Sequence, residues 1–347
     1  MTRLALVMIV RDEAAVIARA LESARPHVDR MIVLDTGSID ATPALAAQAG
    51  AEVAPFAWCD DFAAARNASL ALSDAAWNLV LDADEWIVAG AEAALSAEAL
   101  PAGGDFFGVV RRDSTMDEAG AGGLAQCWIP RLLPRGARYE GRIHEQPVGA
   151  TRERRLPLIL GHDGFTPDNL ARKGDRNEAL LMQALEATPE DPYLWFQLAK
   201  EHQVRERAPQ AAICFAEALR LAGPDAPYRH SLVVRALSAL KKVGRLDDAL
   251  VLANSEVSAW ADSPDFYFAI GDLYLECAAH EPDRAAADFL PIVEAAWKRC
   301  LEIGERPDLD GSVAGRGSHM AAHNLAVFYE TFGRTELAAR YRALAAA

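Results

Sequence analysis

Cysteine is scarce in this sequence, and its five residues (Cys59, Cys127, Cys214, Cys277 and Cys300) are odd in number, with no CxxC pair among them. A scattered set of that kind builds neither a disulfide framework nor a zinc site, so reduced and mostly buried thiols are expected. Long apolar runs are missing as well. Nothing approaches the ~18 consecutive apolar residues that span a bilayer. The first run, Leu4–Val10, meets Arg11, Asp12 and Glu13 at once and has no small-residue cleavage site. It therefore reads as a buried strand and not as a secretion signal, and a cytoplasmic chain with no transmembrane segment is expected. Positive charge is short too, with 35 basic against 50 acidic residues and a net charge of −15. That field repels phosphate backbones and anionic lipid, so neither nucleic acid nor a membrane surface is expected as the main partner. An anionic nucleotide would need a local cation or a metal to be held. No GxxxxGK phosphate loop is present, which disfavours a nucleotidyl- or phosphoryl-transfer enzyme on a similar sheet.

What remains is a globular composition, 51% hydrophobic and 24% charged, over 347 residues, enough for two domains with a core each. The first half alternates apolar runs with amphipathic stretches. Strands are expected at Leu4–Val10, Arg30–Leu34, Ala51–Ala54 and Trp77–Leu81. Helices are expected at Asp12–Ala24, Asp40–Ala49 and Asp60–Leu72 between them. That order implies a largely parallel sheet with helices on both faces, whose ligand lies beyond the carboxyl ends of the strands. Phe106–Val110, Ala125–Leu133 and Leu156–Leu160 read as an antiparallel extension, separated by turn-rich segments such as Asp117–Gly123.

From about Thr166 the chain reads as helical to its end, with a period near 34 residues. Trp195, Leu198, Ala199, His202, Ala211, Phe215 and Ala218 fall on the tetratricopeptide template, and Pro224 follows. Gly244 and Ala249 recur at matching offsets. Ile270, Gly271 and Tyr274 open a third unit with an insertion before Ala296, and Leu325, Ala326, Tyr329, Gly333 and Ala338 form a last copy. Small residues recur where two helices must approach closely. Gly317-Ser318-His319-Met320 precedes a good repeat helix and is treated as native sequence.

The strongest local signal is Leu81-Asp82-Ala83-Asp84-Glu85. In an extended segment, residues i and i+2 point to one side, so Asp82 and Asp84 would present paired carboxylates at a strand's end. Hard cations prefer such oxygen ligands, and a divalent ion there would neutralise a departing diphosphate. Asp35-Thr36-Gly37-Ser38 also follows an apolar strand. An aspartic protease needs two such carboxylates in an all-β frame, whereas one copy stands here between helices, so a nucleotide pocket fits better. Asp60 and Asp61 open a helix, as its dipole favours, and Arg66 lies farther in, facing either the pocket or solvent. Tyr139 to Gln146 and Gly161 to Phe165 place titratable groups beside apolar strands; each such residue is also open to a structural reading.

Taken together, these segments resemble a bacterial branch of the family 2 glycosyltransferases that carries a C-terminal tetratricopeptide domain. Met8 to Glu13 is similar to the family's MIVKNE element, Asp35 to Asp40 to DTGSTD, and Phe62 to Asn67 to FSAARN. Leu81 to Glu85 matches LDADE, Tyr139 to Glu145 resembles GRIHE, and His162 to Phe165 resembles HxGY. The resemblance runs along nearly the whole chain in the right order. It implies an α/β, Rossmann-like catalytic domain of the GT-A type over residues 1–168, then an all-α helical linker and tetratricopeptide-repeat domain over 169–347. It also implies a nucleotide-diphosphate sugar donor, with a UDP-sugar favoured. Val10, Arg11, Glu13, Asp35, Arg66 and Asp82 would contact the donor. Asp35 would bond the base, Arg66 would lie near the base or diphosphate, and Asp82 would face the ribose and metal. Asp84 would ligate the metal and His162 would complete its site. An imidazole ligand favours Mn²⁺ over Mg²⁺.

The family's chemistry is inverting and needs a general base at the acceptor, for which Glu145 is the first candidate and His144 the second. The departures are Arg11 and Asp12 for Lys and Asn, Ile39 for Thr, and Phe165 for Tyr; Asp12 adds a negative charge beside the first strand. A DxD phosphatase would want Thr or Val where Trp86 stands. A non-catalytic repeat scaffold with a relic nucleotide-binding domain is the alternative. The acceptor is open among a peptide, a protein and a saccharide, and the repeats could equally join two copies of the chain as a homodimer.

Overall fold

The computed structural model describes residues 2–115, 124–163 and 176–346. The turn-rich segment expected at Asp117–Gly123, the pair Gly164-Phe165 and the 168/169 boundary lie outside these residues. Contacts divide the chain into two compact units, Met1–Gly122 with Cys127–Ala184, and Gly123–Gln126 with Leu185–Ala347.

In the first unit β1 (Leu4–Val10), β2 (Arg30–Asp35), β3 (Glu52–Pro55) and β4 (Trp77–Val80) alternate with α1 (Ile17–Ala24), α2 (Thr42–Gln48) and α3 (Phe62–Ala71). The strands lie in the order β3-β2-β1-β4 and are parallel, as the alternation requires. β1, β2 and β4 are buried on both faces because helices cover both, so they read as largely apolar runs, whereas β3 at the sheet edge is partly exposed. The helix expected from Asp12 begins only at Ile17. The N–H groups of Asp12 and Ala14 are taken by Ser38 and Asp40 of the next loop and that of Glu13 by Thr42 at the start of α2, and Asp12 has φ +56°, so this stretch does not enter the helix.

Beyond the parallel part come β5 (Glu85–Ala89), β6 (Phe106–Thr115), β7 (Leu124–Pro134) and β10 (Arg152–His162), with β8 (Arg138–Glu140) and β9 (Gln146–Val148) as a separate ribbon. The order continues β4-β7-β6-β10-β5. β7 runs antiparallel to β4, and β5 antiparallel to β10, but β10 runs parallel to β6, so the extension is mixed where an antiparallel one was expected. Trp77, Leu79, Leu81, Leu132, Leu158 and Leu160 join the β1 residues in one core.

The second unit is built from helical hairpins. Pro192–Val204 packs on Ala208–Leu221, Arg229–Lys242 on Leu246–Glu256, Pro264–His280 on Leu290–Ile303, and His319–Thr331 on Thr335–Ala345. The template positions Leu198, Ala199, Ala211, Phe215, Ala218, Ala249, Leu325, Ala326, Tyr329 and Ala338 are all buried. Gly271 shows why a small residue is needed, since a Cβ there would stand 2.3 Å from the Trp297 indole nitrogen. A second insertion, between Ile303 and His319, has no counterpart in the sequence reading. It is tied down where His230 Nδ1 meets the Asp310 carbonyl at 2.8 Å and where Asp265 accepts from the Val313 N–H and from Arg316. Among the described residues no helix is long and apolar enough to cross a membrane.

Candidate functional site

Two loops at the carboxyl ends of β1 and β2 are stitched together. Val10 pairs with Asp35 in register, and its carbonyl accepts from both the backbone N–H and the hydroxyl of Thr36. Its side chain is core, 3% exposed. Arg11 is exposed, and the Glu13 N–H donates to Thr42 Oγ1 at 2.8 Å. Asp35, half-buried, accepts from the N–H groups of Gly37 and Ser38 at 3.2–3.3 Å, a turn that needs φ +103° at Gly37. Asp12 Oδ1 accepts the Ile39 N–H at 2.8 Å. Asn would offer the same acceptor and tolerates the same left-handed φ, so the departure at Asp12 leaves this contact intact.

On α3, Asp61 caps the helix by accepting the Ala64 N–H. Arg66 and Asn67 then face a segment more than 70 residues away. Asn67 makes two hydrogen bonds with the Tyr139 backbone, donating to its carbonyl at 2.9 Å and accepting its N–H at 2.7 Å. The Phe62 N–H donates to the Arg142 carbonyl at 2.8 Å. These bonds clamp residues 139–142 against the helix and so position Glu145, whose Oε1 accepts from Arg66 Nε at 3.0 Å. His144 precedes it with φ +51°, a left-handed backbone uncommon outside glycine, though histidine tolerates it better than most side chains.

Arg66 also donates to Asp82, so one guanidinium, 7% exposed, bridges the first acid of the DxD to the candidate base. Asp82 Oδ2 accepts from Arg131 Nη2 at 2.8 Å. Arg131 donates in turn to Glu85 at 2.7 Å, and Arg112 reaches the same carboxylate at 3.2 Å. The result is an alternating ladder, Glu145–Arg66–Asp82–Arg131–Glu85–Arg112, whose six formal charges cancel. Burial alone would push Asp82 up, but the Arg66 and Arg131 guanidiniums override it and hold the carboxyl well below the usual range. Burial pushes the neighbouring Tyr139 hydroxyl up to about 12, so it stays protonated.

Asp84 is placed differently. Residues 82–85 form a turn closed by the Glu85 N–H on the Asp82 carbonyl at 3.0 Å, not the extended segment expected, and the two acids have separate partners. Asp84 Oδ2 stands 3.6 Å from His162 Nε2, and His162 Nδ1 is 3.0 Å from Ser114 Oγ, a contact that fixes the ring. Among the described residues no three His, Cys, Asp or Glu side chains converge on one cation site. Asp84 and His162 nevertheless fit a divalent ion. One carboxylate oxygen and one imidazole nitrogen, both largely buried, are donor types that divalent ions accept.

The structure thus gathers Arg66, Asp82 and Glu145 in one network and pairs Asp84 with His162, while Val10, Arg11, Glu13 and Asp35 belong to the stitched loops. Sequence reasoning missed Arg112, Arg131 and Ser114. They lie on β6 and β7, and only the register of Leu79 opposite Leu132 brings Arg131 beside the acidic turn.

The Glycosyl transferase family 2 model matches residues 5–119. A tetratricopeptide repeat-containing protein of Synechococcus elongatus is 31% identical over 312 residues, covering 83% of this chain and 76% of its own length. The SPbeta prophage-derived glycosyltransferase SunS of Bacillus subtilis is 24% identical over 213 residues, 59% of this chain and half of that protein. Among solved structures, MamA from Desulfovibrio magneticus RS-1 superimposes with a TM-score of 0.38 and 15% identity over 50% of this chain and 85% of that one. An α/β sheet with acids at its strand ends, followed by tetratricopeptide-like hairpins, defines the class. The chain belongs to the family 2 glycosyltransferases, in the branch that carries C-terminal tetratricopeptide repeats.

Proposed function

We propose that the chain is an inverting glycosyltransferase that moves a sugar from a nucleoside-diphosphate donor, with a UDP-sugar favoured, onto an acceptor nucleophile. The catalytic domain is taken as residues 1–168 and the helical domain as 169–347. The observation that carries the reading is Arg66, which ties the DxD carboxylate of Asp82, 16 residues along the chain, to Glu145, 79 residues along it. A donor-binding acid and an acceptor-side base must stand within a few ångströms of one anomeric carbon, and a shared guanidinium is a direct way to hold them there.

In this reading Asp35 and the loops around Val10, Arg11 and Glu13 receive the nucleoside. Asp82, with 34% of its side chain exposed, faces the ribose and diphosphate. Asp84 and His162 would hold a divalent cation, Mn²⁺ before Mg²⁺, which when bound neutralises charge on the diphosphate. Glu145 takes the acceptor's proton through Oε2, which carries no hydrogen bond among the described residues, while Arg66 holds Oε1. The acceptor then attacks the face of the anomeric carbon opposite the leaving diphosphate, which inverts the centre. His144 is the second choice for the base. The repeat domain grips a peptide or protein acceptor in preference to a saccharide. No disulfide joins the five cysteines among the described residues, and the cytoplasm is the proposed location.

The test is donor turnover across a panel of nucleotide sugars with Mn²⁺. Glu145→Gln should abolish transfer while keeping nucleotide affinity, and Asp84→Ala should lose Mn²⁺-dependent affinity. Turnover that survives both changes would sink the assignment, and a folded chain inert to every donor would favour a repeat scaffold.

A further inference from the structure

We infer that Arg131, anchored by the buried carboxylate of Glu85, is a positioning residue that fixes Asp82 for donor binding; the inference rests on the glycosyltransferase reading above. Glu85 is 0% exposed, a setting in which a carboxylate is costly unless fully partnered. It has three donors: Arg131 and Arg112 on Oε1, and the Asp82 N–H on Oε2 at 3.1 Å. Together with the Glu85 N–H on the Asp82 carbonyl, this closes the acidic turn from both directions. Arg131 completes the device. A single nitrogen, Nη2, donates to Glu85 at 2.7 Å and to Asp82 at 2.8 Å, so the direction of the functional carboxylate is set by one that no ligand can touch.

Stability does not explain such an arrangement well. A buried ion pair contributes little over apolar side chains of the same volume, because desolvation offsets most of the attraction. Its distinctive property is direction. Arg66 alone would let Asp82 Oδ2 swing about the Oδ1 contact, whereas a second guanidinium on Oδ2 removes that freedom. Arg131 reaches the turn from the neighbouring antiparallel strand β7, where the sheet register holds its backbone in place.

The experiment compares the full-length chain with Arg131→Met, Arg131→Lys and the double variant Glu85→Gln/Arg131→Met. In the double variant one negative and one positive charge are removed together, and the single amide carbonyl that remains accepts from either Arg112 or the Asp82 N–H, so the ladder stays neutral with one acceptor fewer and should fold. Three quantities are read: UDP affinity by calorimetry with and without Mn²⁺, kcat and KM for donor turnover, and the urea midpoint. A carboxylate misplaced by about an ångström costs on the order of 100-fold in rate. The double variant is therefore expected to keep a urea midpoint near that of the parent while donor kcat/KM falls about 100-fold and UDP affinity weakens. Arg131→Lys should restore part of both, since an ammonium can bridge the two carboxylates with less directional control. A folded double variant with parental UDP affinity, kcat and KM overturns the positioning role while leaving the glycosyltransferase reading standing. A parent chain that binds no nucleotide overturns both.

Discussion

Arg66→Met tests the ladder at its centre. The substitution keeps much of the side-chain volume but removes the guanidinium, which is 7% exposed and donates to two carboxylates. Glu145, 12% exposed, loses the only Arg partner it has among the described residues. Asp82 retains Arg131, and a third of its side chain still reaches solvent. Removing one partner of a buried pair costs about 3–5 kcal/mol, chiefly from the stranded opposite charge. Because Asp82 stays partnered and partly hydrated, the loss should fall at the lower end, about 3 kcal/mol. The first unit should therefore show a lowered urea midpoint, followed by a probe of its own transition, since a two-unit chain need not unfold in one step. The cycle with Glu145→Gln isolates the pair, and a coupling of about 1–3 kcal/mol is expected. A midpoint within about 0.5 kcal/mol of the parent, the range of an ordinary surface change, would refute the reasoning.

Acid should weaken the same site. A carboxyl held below its ordinary value contributes stability that is fully present above its unfolded value near 4 and is lost as pH falls below it. Asp82 is such a group, so stability should drop below about pH 4, and Asp82→Asn should shrink that drop in urea titrations at several pH values. Asn67→Leu removes both bonds that clamp the Tyr139 backbone and should cost about 1–3 kcal/mol, with a fall in kcat because Glu145 rides on that segment. Asp12→Asn keeps the acceptor for the Ile39 N–H and should stay within about 0.5 kcal/mol of the parent by thermal unfolding.

β1, β2 and β4 were legible because burial on both faces writes each as a largely apolar run, closed in β2 by a polar residue at Val33-Leu34-Asp35. Repeat positions such as Ala199, Phe215 and Ala249 were legible because close helix packing demands particular sizes at fixed spacing. Contacts made across the sheet were not. Arg131 stands 49 residues from Asp82, and nothing local marks it as that carboxylate's partner. β5 was missed since Glu85–Ala89 follows the acidic turn at once and is a strand only by pairing with β10. The late start of α1 reflects loop-to-loop hydrogen bonds that override a helical pattern. Asp82 and Asp84 looked like equal members of one pair, and the turn between them gives them separate partners.

The most direct test of the central claim is thermal stability of the full-length chain against a panel of nucleotides and nucleotide sugars, with and without Mn²⁺. A ligand at about 100 times its Kd adds about 2.7 kcal/mol to the state it binds. The account predicts a Mn²⁺-dependent rise in Tm with a nucleoside diphosphate or its sugar, lost in Asp84→Ala. A folded chain whose Tm no nucleotide moves would contradict it.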